Sequence, residues 1–222
     1  MAAARRDRRP PRRVRPGGAA HGDPDDRPVP APPPRLPRVL RRRLFTGLSV
    51  IGLFSFLPAV LQRVLGMSAM DTALLSLLWA GLAFAVALQA RRLAGRIPTR
   101  VQLALAFALH AVGVITMLGA VDAGSTARFV PGMMIAGVGS GLLNAALPLL
   151  AVESVPAARA AMGSGAQQTL RYIGSCAGVS LTIAVATSSS GGPARGTDVA
   201  MVVSAVLALV AAVAVLALRE RS

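Results

Sequence analysis

Six long segments without a charged residue follow one another after residue 43. They are 19 to 24 residues long and cover 44–62, 72–90, 101–121, 129–152, 172–194 and 199–218. A helix of about 20 residues crosses the roughly 30 Å hydrocarbon core of a bilayer. The segments are apolar around most of their circumference, whereas a helix of a soluble core carries a polar stripe at a 3.6-residue period. The pattern predicts an all-α membrane protein with six transmembrane helices, at about 44–62, 70–90, 101–121, 129–151, 162–187 and 199–218.

Composition agrees with a membrane location. The chain has 222 residues, of which 54% are apolar, and a mean hydropathy of +0.59. Residues 44–222 contain only 16 charged side chains, about a third of the frequency of roughly 25% that is typical of soluble domains. A globule with so few charges would lack the polar surface that water requires. We therefore predict a tail over 1–43 and a six-helix transmembrane domain over 44–218.

The tail has a different character, because it holds 13 of the 24 arginines and most of the prolines. Proline opposes regular structure, so a disordered cytoplasmic tail beside anionic lipid is predicted. Arg42 and Arg43 before an apolar run loosely resemble a twin-arginine export signal, but five more apolar segments follow. A nucleic-acid-binding arm is the other reading. No aromatic residue is interleaved with these arginines, so we expect no nucleic-acid partner.

Arginine counts predict the orientation of the helices. With the N-terminus inside, twenty arginines fall on the cytoplasmic side and three, Arg63, Arg128 and Arg195, fall on the other. Such a bias places both termini in the cytoplasm. The chain has no lysine and is rich in Ala, Arg, Gly and Pro, which suggests a GC-rich bacterial genome and hence the bacterial plasma membrane.

Glycines at four-residue spacing predict close helix packing. Gly137 and Gly141 lie on one face of the fourth helix, and Gly174 and Gly178 repeat the spacing in the fifth. Small residues let helices approach closely in lipid, where hydrophobicity does not drive association. The glycine-rich run at 136–141 also resembles part of a phosphate-binding loop. Without a soluble strand-loop-helix context or any lysine, that interpretation fails.

Arg171 is the one charge that interrupts an apolar region. An arginine inside a bilayer costs about 2.5 to 3.5 kcal/mol on insertion scales. If the fifth helix begins near Met162, Arg171 lies close to mid-bilayer; if it begins near residue 170, the side chain extends to the cytoplasmic surface. We favour the deep position, in which Gln167 and Gln168 share the face of Arg171 and form a polar stripe for a substrate or a partner helix. Gln62 is assigned to the outer part of the same cavity.

The sequence contains no constellation for catalysis, so we predict that the protein is not an enzyme. The single cysteine, Cys176, and two histidines cannot supply a metal site or a hydrolytic triad. His110 is interpreted as a neutral polar group that meets a neighbouring helix, with proton coupling as the alternative. No function is assigned to Trp79 or Cys176.

Four ordered stretches resemble one family. They are FSFLPAVLQRVLGMS at 54–68, ARRLAGRIPTR at 90–100, PGMMIAGVGSGL at 131–142 and SVPAARAAMGSGAQQTLRYIG at 154–174. Together they resemble the C-terminal half of major facilitator superfamily drug:proton antiporters of the fourteen-span EmrB/QacA type. The second stretch departs from the family's cytoplasmic loop, because Gly95-Arg96 stands in place of Asp-Arg. A charge-relay role of this loop is therefore in doubt, and Arg91, Arg92, Arg96 and Arg100 are assigned with Gly95 to a cytoplasmic gate or anchor.

The resemblance implies efflux of small hydrophobic drugs or metabolites in exchange for protons, with the proton gradient as energy source and no cofactor. It covers only one six-helix half, and such a transporter binds substrate between two halves that rock about the site. The chain is then expected to pair with a complementary N-terminal half or with a second copy of itself. The alternative is a truncated or degenerate product, or an accessory subunit, that does not transport.

Overall fold

The computed structural model describes residues 46–93, 97–153 and 160–217, and all regular structure in these ranges is helical. The tail over 1–43 lies outside the described residues. The helices are α1 (Gly47–Arg63), α2 (Ala69–Leu93), α3 (Thr99–Thr116), α4 (Phe129–Glu153), α5 (Ala160–Ser188) and α6 (Gly192–Ala217). Five of them, α2 to α6, are long and apolar enough to cross a membrane, and the described part of α1 is shorter.

Two predicted spans differ from the structure. The third was predicted over 101–121, but α3 ends at Thr116 and turns follow, with positive φ at Gly119 (70°) and Gly124 (59°). Glycine adopts this left-handed conformation readily, so it ends the helix where no charge marks the boundary. The sixth was predicted over 199–218, whereas α6 begins at Gly192. Charged residues are tolerated in its first turns, and the Asp198 carboxylate accepts a hydrogen bond from the backbone N–H of Gly119 at 3.1 Å.

Local capping fixes the start of α2. The Ser68 hydroxyl oxygen accepts a hydrogen bond from the Asp71 backbone N–H at 3.0 Å, and the same hydroxyl donates to the Asp71 carboxylate at 2.7 Å. Serine before a helix satisfies one of the N–H groups that have no partner within the helix. Asp71 is also an acidic side chain in the first turn, where the helix dipole favours negative charge.

The six helices pack as two related triplets. α4 packs against α2 and α3, and α1 correspondingly packs against α5 and α6, while α3 and α6 contact each other. The first triplet is α2, α3 and α4, and the second is α5, α6 and α1. When each helix of one is replaced by the corresponding helix of the other, most helix–helix contacts are preserved. The exception is that α5 packs well against α6, whereas α2 and α3 hardly touch.

The apolar core is built by four of the helices. The largest fully buried side chains on the helices come from α1, α3, α4 and α6, and they are Leu53, Leu57, Leu61, Leu103, Phe107, Phe129, Met133, Leu143, Leu147 and Met201. By contrast, only 11% of the residues in the most apolar 18-residue stretch of α2 are buried. The corresponding share is 17% for α5 and 61% for α4. These two helices lie at the periphery and present most of their surface outward.

Candidate functional site

α5 is attached to the bundle by a narrow stripe of small residues. The buried positions on this stripe are Gly163, Gln167, Gly174, Gly178 and Thr182. They recur every three to four residues except for one gap at position 171, so they lie along one face of the helix. Most of the remaining circumference of α5 is exposed or only half-buried among the described residues.

The contact between α5 and α1 is backbone on backbone. A Cβ atom added to Gly47 would lie 2.6 Å from the Arg171 carbonyl oxygen, and one added to Gly52 would lie 2.5 Å from the Gly178 carbonyl carbon. One added to Gly178 would lie 2.6 Å from the Leu48 carbonyl oxygen. Real Cβ atoms do not approach so closely, so only glycine fits here, as is common where membrane helices pack tightly.

The outward surface of α5 mixes polar and apolar side chains. Thr169, Tyr172 and Cys176 are exposed and Gln168 and Ser175 are half-buried, and the large apolar side chains that are exposed beside them are Met162, Ile173, Leu181 and Ile183. The hydroxyls of Thr169 and Ser175 donate to the carbonyl oxygens four residues earlier, Gly165 at 3.1 Å and Arg171 at 2.7 Å. These hydroxyls are thereby satisfied within the helix, and the face can border either water or a polar partner.

Arg171 lies near the middle of α5 at the edge of the buried stripe. The helix begins at Ala160, so a rise of about 1.5 Å per residue puts Arg171 about 16 Å along its axis. The residue is half-buried. Among the described residues it is the one arginine or carboxylate outside the first and last two turns of the six helices. The deep position of Arg171 was predicted on the condition that the helix begins near Met162, and a start at Ala160 meets that condition. The depth of Arg171 in the membrane stays a prediction.

The two glutamines beside Arg171 occupy different environments. Gln167 belongs to the buried stripe, with 6% of its surface exposed, and its side-chain carbonyl oxygen has no hydrogen-bond partner within the described residues. Gln168 is half-buried on the outward side. Gln167 thus faces the bundle, and Gln168 lies toward the outward side of α5.

Gln62 is not brought together with these residues. It is exposed in the last turn of α1. Gly47, fifteen residues earlier, lies level with Arg171, so Gln62 is about 20 Å further along the helix axis. It lies toward the far end of the bundle and outside any contact with the α5 cluster.

The predicted cytoplasmic gate is described only in part. Arg91 and Arg92 lie in the last turn of α2, with side chains outside the described residues. Gly95 and Arg96 also lie outside them. Arg100 is exposed in the first turn of α3, so the described geometry gives it no contact with α5.

The glycines of α4 form the contact with α2. Added Cβ atoms would lie 2.9 Å from the Trp79 carbonyl oxygen at Gly137, and 2.5 Å from the Ala83 carbonyl oxygen at Gly141. Gly174 is buried on α5 and lies against Gly47 of α1. A Cβ atom added to Gly47 would lie 2.7 Å from the Gly174 carbonyl carbon. All four glycines assigned to packing thus lie at helix contacts.

A second polar group lies within the bundle, and sequence reasoning did not connect its members. The Ser204 hydroxyl on α6 donates to the Ser49 carbonyl oxygen on α1 at 2.5 Å. His110 on α3 is fully buried beside the same Ser49 backbone. The available signal was a serine or histidine in an otherwise apolar helix, but no spacing rule relates residues on three different helices.

Comparison with known families identifies the chain. The model of the Major Facilitator Superfamily matches residues 1–179, which is most of the chain and includes α1 to α4 and two thirds of α5. The chain belongs to the major facilitator superfamily. No curated protein sequence matches it. Together with the apolar helices, this membership makes the chain a multi-pass membrane protein of a transporter superfamily.

In a major facilitator protein, the geometry of α5 is a coherent candidate site. The arrangement joins a cationic group near the middle of one helix, an amide one turn away and polar side chains on the outward surface of that helix. Within the described residues, no three His, Cys, Asp or Glu side chains lie together in a way that would hold a metal ion. What the site can do chemically is bind a ligand through hydrogen bonds and one positive charge.

Proposed function

We propose that this chain is one half of a proton-coupled exporter of small hydrophobic compounds, of the EmrB/QacA type, in the bacterial plasma membrane. Both termini lie in the cytoplasm in this proposal. The four sequence stretches that resemble these antiporters support the type, and the arginine bias supports the orientation. The chain would work only with a second six-helix half.

A single observation carries the proposal: α5 combines a mid-helix arginine and a partly polar outward surface with very little burial. A lone bilayer-facing arginine is expensive, and ionisable residues inside membranes usually face a bundle interior or a water-filled cavity. The described residues supply no neighbour for this face. A substrate cavity between two halves would provide both the water and the ligand that such a face requires.

In this proposal the group that carries the coupling proton lies outside the described bundle. Asp71 and Asp198 lie in the first turns of α2 and α6, and the Asp198 carboxylate is engaged by Gly119. His110 has no exposed surface. No carboxylate therefore reaches the middle of the described bundle, and in this proposal the proton-carrying carboxylate belongs to the partner half. Arg171 would bind substrate without carrying the proton.

Expression in an efflux-deficient bacterium tests the proposal. The chain is produced with and without the reading frames adjacent to its gene, and retention of a hydrophobic dye is measured. We expect retention to fall only when a partner half is present, and the fall to disappear when the membrane potential and proton gradient are collapsed. Unchanged retention in every combination, with the protein present in the membrane, would exclude transport and favour an accessory or degenerate product.

Substitution of Arg171 tests the site itself. Arg171→Gln should abolish the dye export, because it removes the charge and keeps a polar side chain. Arg128→Gln is the matched control, since Arg128 is exposed in the 3-10 turn Thr126–Arg128 before α4. Equal dye export by both variants would refute the assignment of Arg171 to the proposed substrate cavity.

A further inference from the structure

Three aromatic rings from three helices meet inside the bundle. The Phe54 ring of α1 stacks on Trp79 of α2, with 4.8 Å between ring centroids and 21° between planes. The same ring meets His110 of α3 at 5.5 Å and 52°. Phe54 thus joins the indole and the imidazole at one location, away from the outward face of α5.

α4 closes this location from another side. A Cβ atom added to Gly137 would lie 2.9 Å from the Trp79 carbonyl oxygen, and one added to Gly139 would lie 3.0 Å from the His110 backbone nitrogen. Ser140 follows Gly139 directly and is one turn from Gly137. With 3% of its surface exposed, it lies on the part of α4 that is packed between Trp79 and His110.

Three side chains at this location have incomplete hydrogen bonding. Trp79 Nε1 and Ser140 Oγ are buried and have no partner within the described residues, and the buried imidazole of His110 has only the Ser49 backbone beside it, too poorly aligned for a geometric hydrogen bond. Most described hydroxyls in these helices do find one: those of Thr72, Ser76 and Thr182 donate to the carbonyl oxygen four residues earlier. Ser140 is therefore unusual, because a buried polar group without a hydrogen-bond partner lowers the free energy of unfolding and is rare in folded proteins.

The chemistry of these atoms is complementary to water. The indole N–H only donates, a neutral imidazole offers one donor and one acceptor, and the serine hydroxyl offers both. A water molecule donates two hydrogen bonds and accepts two, and buried waters typically make about three to such groups. None of the three side chains carries a carboxylate or a guanidinium, so the site has no fixed charge with which to select an ion.

We propose that Trp79, His110 and Ser140 form an internal water-binding site that links α2, α3 and α4 beneath the Phe54 ring. The site holds one or two water molecules and is separate from the α5 face, so it does not depend on the transport proposal. Its role is to bind the three helices together through hydrogen bonds that their side chains do not make directly.

The sign of a stability change tests the site. Ser140→Ala removes one hydroxyl in either case. If the hydroxyl holds water, the thermal midpoint of the chain in detergent should fall; if the hydroxyl is truly without a partner, removing it from an apolar interior should raise the midpoint. Ser76→Ala is the control on α2, because that hydroxyl is bonded to the Thr72 carbonyl oxygen at 2.9 Å.

The single tryptophan of the chain provides an independent readout. Trp79 emission should lie at longer wavelength than that of an indole in a dry apolar site, and its intensity should rise in D₂O because the indole N–H contacts exchangeable water. Ser140→Ala and His110→Leu should each shift the emission to shorter wavelength and reduce the D₂O effect. His110→Gln, which keeps a donor and an acceptor, should preserve both.

Two results would overturn the proposal. One is a raised thermal midpoint in Ser140→Ala, and the other is a Trp79 spectrum and D₂O effect that match those of Ser76→Ala in every variant. If His110→Leu does not fold, the pair Ser140→Ala and Ser76→Ala decides the matter alone, because each removes one oxygen atom from a helix.

Discussion

α2 and α5 occupy equivalent places in the two triplets, yet they present different chemistry. Both are little buried, and both contact their neighbour through glycine backbone. The outward face of α2 carries large apolar side chains at three- and four-residue spacing, namely Met70, Leu74, Leu77, Phe84 and Leu88, all more than half exposed. The outward surface of α5 carries Thr169, Tyr172 and Cys176, with Arg171 at its edge, among exposed apolar side chains such as Ile173 and Ile183.

Exposure of a membrane helix therefore has two meanings. A row of large apolar side chains is satisfied by lipid tails or by an apolar partner helix and needs no further explanation in a bilayer. An arginine beside such a surface is satisfied only by water, a ligand or a polar partner. Equal lack of burial therefore points to a functional surface on α5 and to a lipid-compatible one on α2.

The largest expected effect concerns how α5 is attached. Gly178→Leu should prevent α5 from docking on α1, because even a Cβ atom would lie 2.6 Å from the Leu48 carbonyl oxygen. Overpacking costs about 3 kcal/mol or more where the backbone must move. Thermal unfolding and size-exclusion profiles of the purified chain measure this loss of folded protein.

The control on the same helix is Gly165→Leu. A Cβ atom there would meet nothing within 4 Å, so the variant should remain folded. If the two glycine variants were equally stable, the attachment of α5 through its small-residue stripe would be refuted.

A smaller effect separates the two outward faces. Phe84→Arg places a charge near the middle of α2, where we expect a lipid-facing arginine to cost about 2.5 kcal/mol or more. Cys176→Arg places the same charge near the middle of α5, where water or a polar partner should lower the cost. The fraction of each helix inserted in a glycosylation-mapping assay, and the yield of folded chain, compare them. An equal loss of insertion in the two variants would mean that both faces contact lipid. The difference between the α2 and α5 surfaces would then not indicate a functional site on α5.

The smallest effect concerns how α2 begins. Ser68→Ala should destabilise the chain by about 1 kcal/mol, because the Asp71 backbone N–H loses its acceptor at 3.0 Å. Ser164→Ala on α5 is the comparison, since that exposed hydroxyl donates only to the Ala161 carbonyl oxygen within its own helix. The difference between the two thermal midpoints measures the cap. No difference would show that α2 is held by its packing on α4 alone.

Several features could be predicted from the sequence because they depend on local composition. The existence of six apolar helices followed from the charge-free runs, and the all-helical fold is confirmed. The boundaries of α3 and α6 did not follow, because charge marks a helix end poorly. α3 ends at Thr116, several residues before the first charge, Asp122. Asp198 lies inside α6, where its carboxylate accepts a hydrogen bond from the Gly119 N–H.

The candidate site was predictable only one helix at a time. Arg171 stands out in the sequence as a charge within an apolar region. That Gln167 turns inward while Gln168 turns outward depends on where α1 touches α5. The location shared by Trp79, His110 and Ser140 was not predicted, because the three residues lie on three helices and no local pattern relates them.

Local composition was enough to show that this chain crosses a membrane, roughly where each helix lies and which helix carries a charge near its middle. These properties depend on the transfer free energy of short segments between water and lipid, which their own residues decide. The tertiary structure decided which face of each helix is buried and which polar atoms are brought together. Those properties depend on contacts between residues far apart in the chain, where glycine backbones permit helices to approach and a neighbouring side chain determines whether a buried polar group is satisfied.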